Sequence, residues 1–357
     1  MVWDETRTFP MAILKKLGEM GMLGIIFPEE YGGAGMGYLE YAVVVEELSR
    51  VDGSIGLSVA AHNSLCANHL YTMGNEAQRR QYLVPLASGQ LLGAWGLTEP
   101  GAGSDAGALQ THAKKEGSHW VLNGTKNFIT HGAVAEIFVV MARTRPARSG
   151  KGGSDGISAF VLEKGMNGFR AGKQENKLGM RASDTSELIL EDVKVPEANL
   201  LGEAGVGFHQ AMKTLDGGRI SIGAMALGMA QGAFEASVRY AKSRHAFGKA
   251  LAEHQAILFK LADMQVMVEA ARLLIYKAAD LKDRGLPYGK AASIAKLYSS
   301  EIACRVADEA VQIHGGYGYI KDFPVEKYYR DVKLCTIGEG TSEVQRMVIG
   351  QYLLDEF

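Results

Sequence analysis

The range 337–345 places a single carboxylate, that of Glu339, between two glycines and directly before a predicted helix. A side chain whose neighbours carry no side chains can project into a cavity and approach a ligand closely. A purely structural interpretation is also open, because a turn followed by Thr or Ser as the helix cap, with Glu or Gln behind it, is a common helix start. The other glycine-rich segments bear on this choice.

The first of these segments runs from Trp95 to Asp105 and is rich in backbone N–H groups and hydroxyls, with no bulky side chains to block an approach. Such a loop can hold a flat heterocycle or a pyrophosphate, and a tight structural corner is the equally weighted alternative. Residues 101–106 also fit the loose dinucleotide pattern G-x-G-x-x-A. The following range 107–112 leads into a strand and not a helix, which argues against a nicotinamide-type Rossmann site.

Two further segments could contact a ligand. Residues 312–319 end a predicted helix with consecutive glycines, which indicates helix termination and also room for close approach of a ligand or backbone. Residues 243–249 join two helices and offer positive groups suited to phosphate, or simply a solvated loop. The nine histidines show no metal-ligand spacing, and neither a Gly-x-Ser-x-Gly elbow nor a P-loop accompanies them. We therefore predict no metal site.

Composition narrows the class of protein. The 357 residues are 47% hydrophobic and 22% charged, which is typical of a soluble protein with a large core. The formal net charge of -2 provides no basic surface for nucleic acid, so we expect small-molecule or protein partners. The three cysteines form no CxxC pair, which favours a reducing compartment. Neither a signal peptide nor a membrane span is predicted, so we expect a soluble protein of the cytoplasm, or of the mitochondrial matrix if eukaryotic.

Hydrophobic periodicity divides the chain into helical, β and helical parts. We predict an α+β multidomain fold with an N-terminal helical domain at 1–91, a middle β-domain resembling a small barrel or sandwich at 92–203, and a C-terminal four-helix bundle at 204–357. The predicted helices cover residues 38–48, 58–71, 221–242, 254–283, 290–314 and 343–354. The clearest predicted strands cover residues 119–124, 137–141, 157–162 and 187–190.

These segments, taken together and in this order, resemble the acyl-CoA dehydrogenase family of flavoproteins from about Phe9 to the C-terminus. Residues 97–105 are similar to the first family signature, and residues 312–316 with Asp322, Lys327 and Asp331 are similar to the second. Residues 55–66 resemble members that act on short branched acyl groups. Residues 215–220 and Phe128 resemble straight short-chain members, so the acyl preference stays open.

The resemblance implies FAD as cofactor, usually in a homotetramer that is a dimer of dimers. The implied cofactor-binding residues near the flavin are Leu97, Thr98, Gly103, Ser104, Phe128, Ile129, Thr130, Thr341 and Glu343. Those implied to reach the FAD of a neighbouring subunit are Arg244, Phe247, Gln255, Gln312, Ile313, Gly315 and Gly316. The implied substrate-side residues are Ser104, Asp216, Arg219 and Gly340.

The implied reaction is oxidation of a short or short-branched acyl-CoA to the trans-2-enoyl-CoA, with electrons passing to an electron-transfer flavoprotein. Glu339 is the expected base for the α-proton, because a weakly acidic proton needs an oriented carboxylate in a dry cavity. In one branch of the family the base instead precedes Arg219, where this chain has Gly218, so Glu339 is the remaining candidate. An oxidase that uses oxygen, or a non-catalytic scaffold of the same fold, are the alternatives.

Two departures from the family accompany the resemblance. The chain begins about one helix later than typical members, from which we expect weaker stability of the first domain without loss of chemistry. Gly338 stands where many relatives carry Tyr, which would enlarge the space beside the base.

Overall fold

The computed structural model describes residues 1–146 and 152–356; residues 147–151 and 357, which fall within the second and third predicted domains, lie outside the described residues. The first part of the chain is helical. Its α-helices are α1 (Val2–Thr6), α2 (Met11–Glu19), α3 (Tyr38–Val51), α4 (Gly53–Ala61), α5 (Asn68–Met73), α6 (Glu76–Gln78) and α7 (Val84–Ala87).

Helix α4 continues through a π-helical segment, His62–Ala67, directly into α5. The sequence predicts this helix from residue 58, five residues later than the structure has it. Asp52 caps the helix, since its carboxylate accepts hydrogen bonds from the Ser54 and Ile55 N–H groups at 2.8 and 3.3 Å. Every residue of α4 is buried, so no alternation of polar and apolar residues marks its start.

The middle part forms an eight-stranded mixed sheet among the described residues. Pairing follows the order β6-β7-β3-β2-β4-β5-β8, and β1 lies parallel to β4. The strands are β1 (Gly93–Gly96), β2 (His112–Glu116), β3 (His119–Thr130), β4 (Ile137–Arg143), β5 (Ile157–Glu163), β6 (Phe169–Gln174), β7 (Thr185–Pro196) and β8 (Leu200–Leu201). Strand β6 is absent from the clear predictions because only Phe169 is buried in it, so its sequence lacks the apolar alternation of a core strand.

The last part is a bundle of long helices. These are α8 (Gly207–Ser243), α9 (Gln255–Asp283), α10 (Gly289–His314) and α12 (Ser342–Glu356), with the shorter α11 (Val325–Val332) before α12 and a hairpin of β9 (His245–Ala246) and β10 (Lys249–Ala250) after α8. None of the described helices combines the length and the apolar character needed to cross a membrane.

Helix α8 is the longest element and contacts α3, α4, α9, α10 and strand β5, so it joins all three parts of the chain. It begins at Gly207, fourteen residues before the predicted start at Ser221. The interval contains Lys213, Asp216 and two consecutive glycines, residues that weaken both helix propensity and the apolar pattern. Tertiary packing overrides this local weakness, since Gly217 and Gly218 are both buried.

Candidate functional site

A cavity of about 850 Å³ lies where the sheet, helix α4, the first half of α8 and the segment before α12 meet. Its volume falls in the usual range for small-molecule sites. Among the residues that line it are the following predicted site residues: Leu97, Thr98, Gly103, Ser104, Phe128, Ile129, Thr130, Arg219, Glu339, Gly340 and Thr341.

The other predicted site residues lie elsewhere. Asp216 pairs with Arg219 just outside the lining, and Glu343 is exposed on the first turn of α12. A separate surface depression of about 540 Å³ is lined by Arg244, Ile313, Gly315 and Gly316. The predicted site residues Phe247, Gln255 and Gln312 are exposed, and Phe247 is 96% exposed.

One face of helix α8 supplies a wall of the cavity. Lining residues recur there every three or four positions, which is the spacing of one helix face: Phe208, Met212, Leu215, Arg219, Ile222 and Met225. Except for Arg219 this face is apolar. Leu57, Ala61 and Leu65, from α4 and its π-helical extension, add further apolar lining. The helices therefore give the cavity a largely hydrocarbon side.

The Glu339 side chain projects towards the cavity from a strained backbone conformation. Its φ is +51°, in the left-handed region that side chains other than glycine seldom occupy. Gly340 follows at φ +92°, and a Cβ there would lie 2.7 Å from the Gln345 side-chain amide. Thr341 then caps α12, because its hydroxyl accepts a hydrogen bond from the Val344 N–H at 3.3 Å. The structural and chemical interpretations of this segment are therefore compatible.

Two side chains hold the peptide groups around Glu339. Lys296 Nζ donates to the Gly340 carbonyl at 2.6 Å. Gln345 Nε2 donates to the Gly340 carbonyl at 3.1 Å and to the Glu339 carbonyl at 3.3 Å. These bonds offset the strain of the left-handed backbone.

The Glu339 carboxylate itself is held by packing. Its Oε2 atom is buried and has no hydrogen-bond partner among the described residues. It lies so close to α8 that a Cβ on Gly218 would be 1.9 Å from Oε2. Loss of water on burial raises the pKa of Glu339 from 4.5 to about 7, against the lowering effect of the Lys296 and Arg219 charges. A carboxylate with this pKa suits a general base near neutral pH.

Arg219 forms a polar patch in the apolar wall. Its Nη1 donates to Asp216 at 2.5 Å and to Ser293 Oγ at 3.2 Å, whereas its buried Nε has no partner among the described residues. Burial raises the pKa of Asp216 despite the lowering effect of the Arg219 charge. The Nε–H group therefore leaves one hydrogen-bond donor unused in a buried position.

The loop after β1 is fixed at one end and open at the other. Buried Glu99 accepts hydrogen bonds from the Gln110 N–H at 2.6 Å, the Thr111 N–H at 2.9 Å and Lys126 Nζ at 2.6 Å. Lys126 Nζ also donates to the Leu97 carbonyl at 3.2 Å. By contrast, a Cβ on Gly103 would meet nothing within 4 Å, so a ligand can approach the backbone there. The loop is therefore a fixed structural corner at one end and a possible ligand-binding segment at the other.

A break in the β3–β7 register presents an aromatic ring to the cavity. The pairing shifts between Lys126 and Ile129, and Phe128 within the shift has φ +59°. Its side chain is 63% exposed although the residue lines the cavity. An open aromatic face beside open loop backbone fits a flat ring system such as a flavin.

No role was predicted for Lys296, Gln345 or the cavity-lining Lys333. A lysine in a long helix is usually solvated, and so it drew no attention. One signal was available: Lys296 shares helical spacing with Ala292, Ser299 and Ala303, which places it on the buried face of α10.

Three family models match the chain, and each describes an acyl-CoA dehydrogenase domain. The N-terminal domain matches residues 1–90, the middle domain residues 94–193 and the C-terminal domain residues 205–354. A short-chain specific acyl-CoA dehydrogenase from Clostridium acetobutylicum is 54% identical over 97% of this chain and 90% of the relative.

Solved structures agree with this match. Butyryl-CoA dehydrogenase from Megasphaera elsdenii is 48% identical, with a TM-score of 0.96 over 99% of this chain and 92% of the other. A chain from a structure described as the electron transferring flavoprotein of Acidaminococcus fermentans is 50% identical, with the same TM-score and coverage. A glutaryl-CoA dehydrogenase from Mycobacterium smegmatis, solved with FADH2, is 33% identical with a TM-score of 0.92 over 98% of this chain and 88% of the other.

The match extends over all three parts of the chain. The first signature segment lines the large cavity beside Glu339, whereas Ile313, Gly315 and Gly316 of the second line the separate depression. The chain belongs to the acyl-CoA dehydrogenase family.

Proposed function

We propose that this protein oxidises a short straight or short-branched acyl-CoA to the trans-2-enoyl-CoA with FAD as cofactor and Glu339 as base. The observation that carries the proposal is a buried carboxylate oxygen without a hydrogen-bond partner, in a cavity of about 850 Å³. A structural carboxylate at such depth is normally hydrogen-bonded, so a free one has a functional explanation. The names of the C. acetobutylicum and M. elsdenii relatives support the short-chain preference.

The residues present fit a flavin. Leu97 to Ser104 would hold the ring system along open loop backbone, and Phe128 to Thr130 would lie beside it, since both segments line the same cavity. The acidic Glu99 faces away from this space, because Lys126 and two backbone N–H groups occupy its oxygens. FAD supplies, when bound, the acceptor for the hydride that leaves the β-carbon of the substrate.

The chain's own residues supply alignment and proton transfer. Glu339 takes the α-proton at its carboxylate, and the apolar wall of α8 keeps water away from the substrate and raises the basicity of that carboxylate. The Glu339 backbone N–H has no acceptor among the described residues, so it is free to donate to the thioester oxygen. The charge that develops on this oxygen as the proton leaves would be stabilised there.

Two partners complete the proposal. Electrons would leave to an electron-transfer flavoprotein, which the match to a chain of the A. fermentans structure supports. A homotetramer would bring Arg244, Phe247, Gln255 and residues 312–316 to the cofactor of a neighbouring subunit. The exposure of Phe247 is consistent with a contact of this kind. The dehydrogenases among the relatives do not favour the oxidase alternative.

Anaerobic addition of butyryl-CoA to the FAD-loaded protein tests the proposal. We expect bleaching of the flavin absorbance in the parent protein and a rate roughly 10²–10⁴-fold lower in Glu339→Gln, because that variant keeps the shape and loses the base. Glu301→Gln is the matched control, since Glu301 pairs with Arg346 at the surface and should bleach like the parent. A series of straight and branched acyl-CoAs in the same assay defines the acyl preference.

Three outcomes would contradict the proposal. Equal bleaching rates in Glu339→Gln and the parent would remove Glu339 as the base. A purified protein that takes up no FAD would favour the non-catalytic scaffold. Peroxide formed in step with turnover would favour the oxidase.

A further inference from the structure

Lys296 is the group that neither the family resemblance nor the proposed reaction uses. It is 0% exposed, and it lies in the first third of α10 on the face that packs against the rest of the bundle. A buried ammonium group is costly unless it is matched by strong acceptors. The acceptor here is the Gly340 carbonyl, 2.6 Å from Nζ.

The acceptor of this hydrogen bond lies in a strained part of the backbone. Glu339 and Gly340 both have positive φ, and Glu339 carries a side chain in that conformation. The Gly340 carbonyl receives two donors, Lys296 Nζ and Gln345 Nε2, one from α10 and one from α12. The peptide after Glu339 is thus fixed from two helices.

Lys296 also differs from the other titratable groups around the Glu339 carboxylate in its charge state. Arg219 from α8 is already paired with Asp216. Tyr38 and Tyr41 face it from α3, and burial raises the pKa of both phenols, so they stay neutral. Cys335 beside Lys296 is neutral for the same reason, since burial raises its pKa, and Glu343 lies on the exposed side of α12. Lys296 forms no ion pair among the described residues, so its charge is not cancelled by a bound carboxylate.

We infer that Lys296 is a positioning residue for the reaction, which holds the Glu339–Gly340 peptide in its left-handed turn and places one uncompensated positive charge beside the base. The inference rests on the proposed role of Glu339. The charge favours the ionised form of Glu339, and the hydrogen bond fixes the direction of its N–H and its side chain. One residue therefore sets both where the base is and the pH at which it becomes active.

The Lys296 ammonium and the Glu339 carboxyl group influence each other's ionisation. Burial lowers the pKa of Lys296 to about 8, against the raising effect of nearby Cys335 and Glu339. Glu339 ionises at about 7. Each charge therefore stabilises the other: the Lys296 ammonium favours the ionised form of Glu339, and the Glu339 carboxylate favours the protonated form of Lys296.

The pH dependence of the anaerobic bleaching rate in Lys296→Met tests the inference. Methionine has a similar length but no charge and no N–H donor. The rising limb of the rate should move upward by about one pH unit or more, because a nearby opposite charge lowers a carboxyl pKa by ~1–3 units. Gln345→Met is the matched control, since it removes the other donor to Gly340 without a change of charge. The bleaching rate of Gln345→Met should be lower than that of the parent, but the rising limb of its pH dependence should stay at the parent's pH.

A second variant keeps the test decisive if Lys296→Met does not fold. Lys296→Gln removes the charge and keeps an N–H donor on a side chain one atom shorter, so it should show the same upward movement of the limb. FAD content and the thermal midpoint of each variant establish that it is folded. A limb that stays at the parent's pH in a folded Lys296 variant would reduce Lys296 to a structural residue and overturn the inference.

This failure differs from failure of the proposed function. If the parent does not bleach with any acyl-CoA, or Glu339→Gln bleaches as fast as the parent, the proposed function is wrong. If the parent bleaches and Glu339→Gln does not, yet the Lys296 variants keep the parent's limb, only the inference about Lys296 is wrong.

Discussion

Two buried carboxylates in this chain have opposite surroundings. Glu99 accepts two backbone N–H bonds and the Lys126 ammonium, and although burial alone would raise its pKa, the Lys126 charge and these bonds hold the pKa below its usual value. Glu339 has the same side chain, but its buried Oε2 has no partner, and its pKa rises to about 7. Burial by itself therefore does not decide the role of an acid. Its partners do: Glu99 fixes a loop, whereas Glu339 keeps an oxygen without a partner, as the proposed role of base requires.

The largest expected effect lies on the Glu99 side of the comparison. Lys126→Met leaves a buried carboxylate without its cation, and we expect a loss of about 3–5 kcal/mol in the free energy of unfolding. The bound flavin should also dissociate more readily, because Lys126 donates a hydrogen bond to the Leu97 carbonyl in the loop after β1. Urea unfolding followed by fluorescence measures the first effect, and flavin retention on gel filtration measures the second.

Lys115→Met is the control for this change. Lys115 pairs with Glu197 at the surface, where both side chains are about half exposed. An exposed ion pair contributes about 0–1 kcal/mol, so the control should unfold like the parent. Equal losses in the free energy of unfolding would mean that the buried Glu99–Lys126 pair stabilises the fold no more than the exposed pair does.

Glu339 should behave in the opposite way when its charge is removed. Its carboxyl binds a proton more tightly in the folded than in the unfolded chain, so its contribution to stability is fully present below pH 4.5 and is lost as the pH rises through 7. Glu339→Gln cannot ionise and avoids this loss. Relative to the parent it should gain roughly 2–3 kcal/mol between pH 4.5 and 8.

Unfolding of the substrate-free protein at several pH values, with and without Glu339→Gln, checks this expectation. A variant that loses stability at pH 8 would show that the carboxylate has a structural partner. In that case the contrast with Glu99 would disappear.

The smallest expected effect concerns the packing of Glu339 against α8. Gly218→Ala places a methyl group where Oε2 now lies, so the carboxylate must move by a fraction of its own size. We expect anaerobic bleaching to slow about 10–100-fold, because misplacement of a reacting group by ~1 Å has costs of this order. Stability should not fall, since alanine is a better helix former than glycine.

Gly338→Ala is the matched glycine substitution. The nearest atoms to its added Cβ are 3.5–3.9 Å away, all in Leu334, which is ordinary contact. Its bleaching rate should stay within about twofold of the parent, as expected for a substitution without a steric clash. If both variants bleached at the same rate, the position of Gly218 beneath the base would have no consequence.

The three-part fold could be predicted from the sequence. The structure places Glu339, the predicted base, in the wall of the cavity, and its catalytic role stays a prediction. Long helices such as α9 and α10 carry their apolar period over many turns, and their predicted ends agree with the structure to within one residue. The first fourteen residues of α8 and the start of α4 could not be placed, because glycines and complete burial remove the period there.

The cavity residues likewise include some that could be predicted from the sequence and some that could not. Thr98, Phe128 and Arg219 could be named because the family resemblance assigns them, and the structure brings them to one cavity. Lys296 and Gln345 act on Glu339 from helices 43 and 6 positions away along the chain, by bonds to backbone carbonyls. Contacts of that kind depend on tertiary packing and leave no short motif.

The cavity face of helix α8 has a consequence for how this enzyme can diverge. Its six lining residues form a continuous stripe from Phe208 to Met225, and Arg219 lies within that stripe. Inserting or deleting one residue inside it would rotate everything beyond by about 100°, turning the guanidinium and the glycine under the base away from the ligand. Exchange of side chains such as Leu215 or Ile222 would therefore change the shape of the cavity and keep this alignment, whereas a change in the spacing between them would lose it.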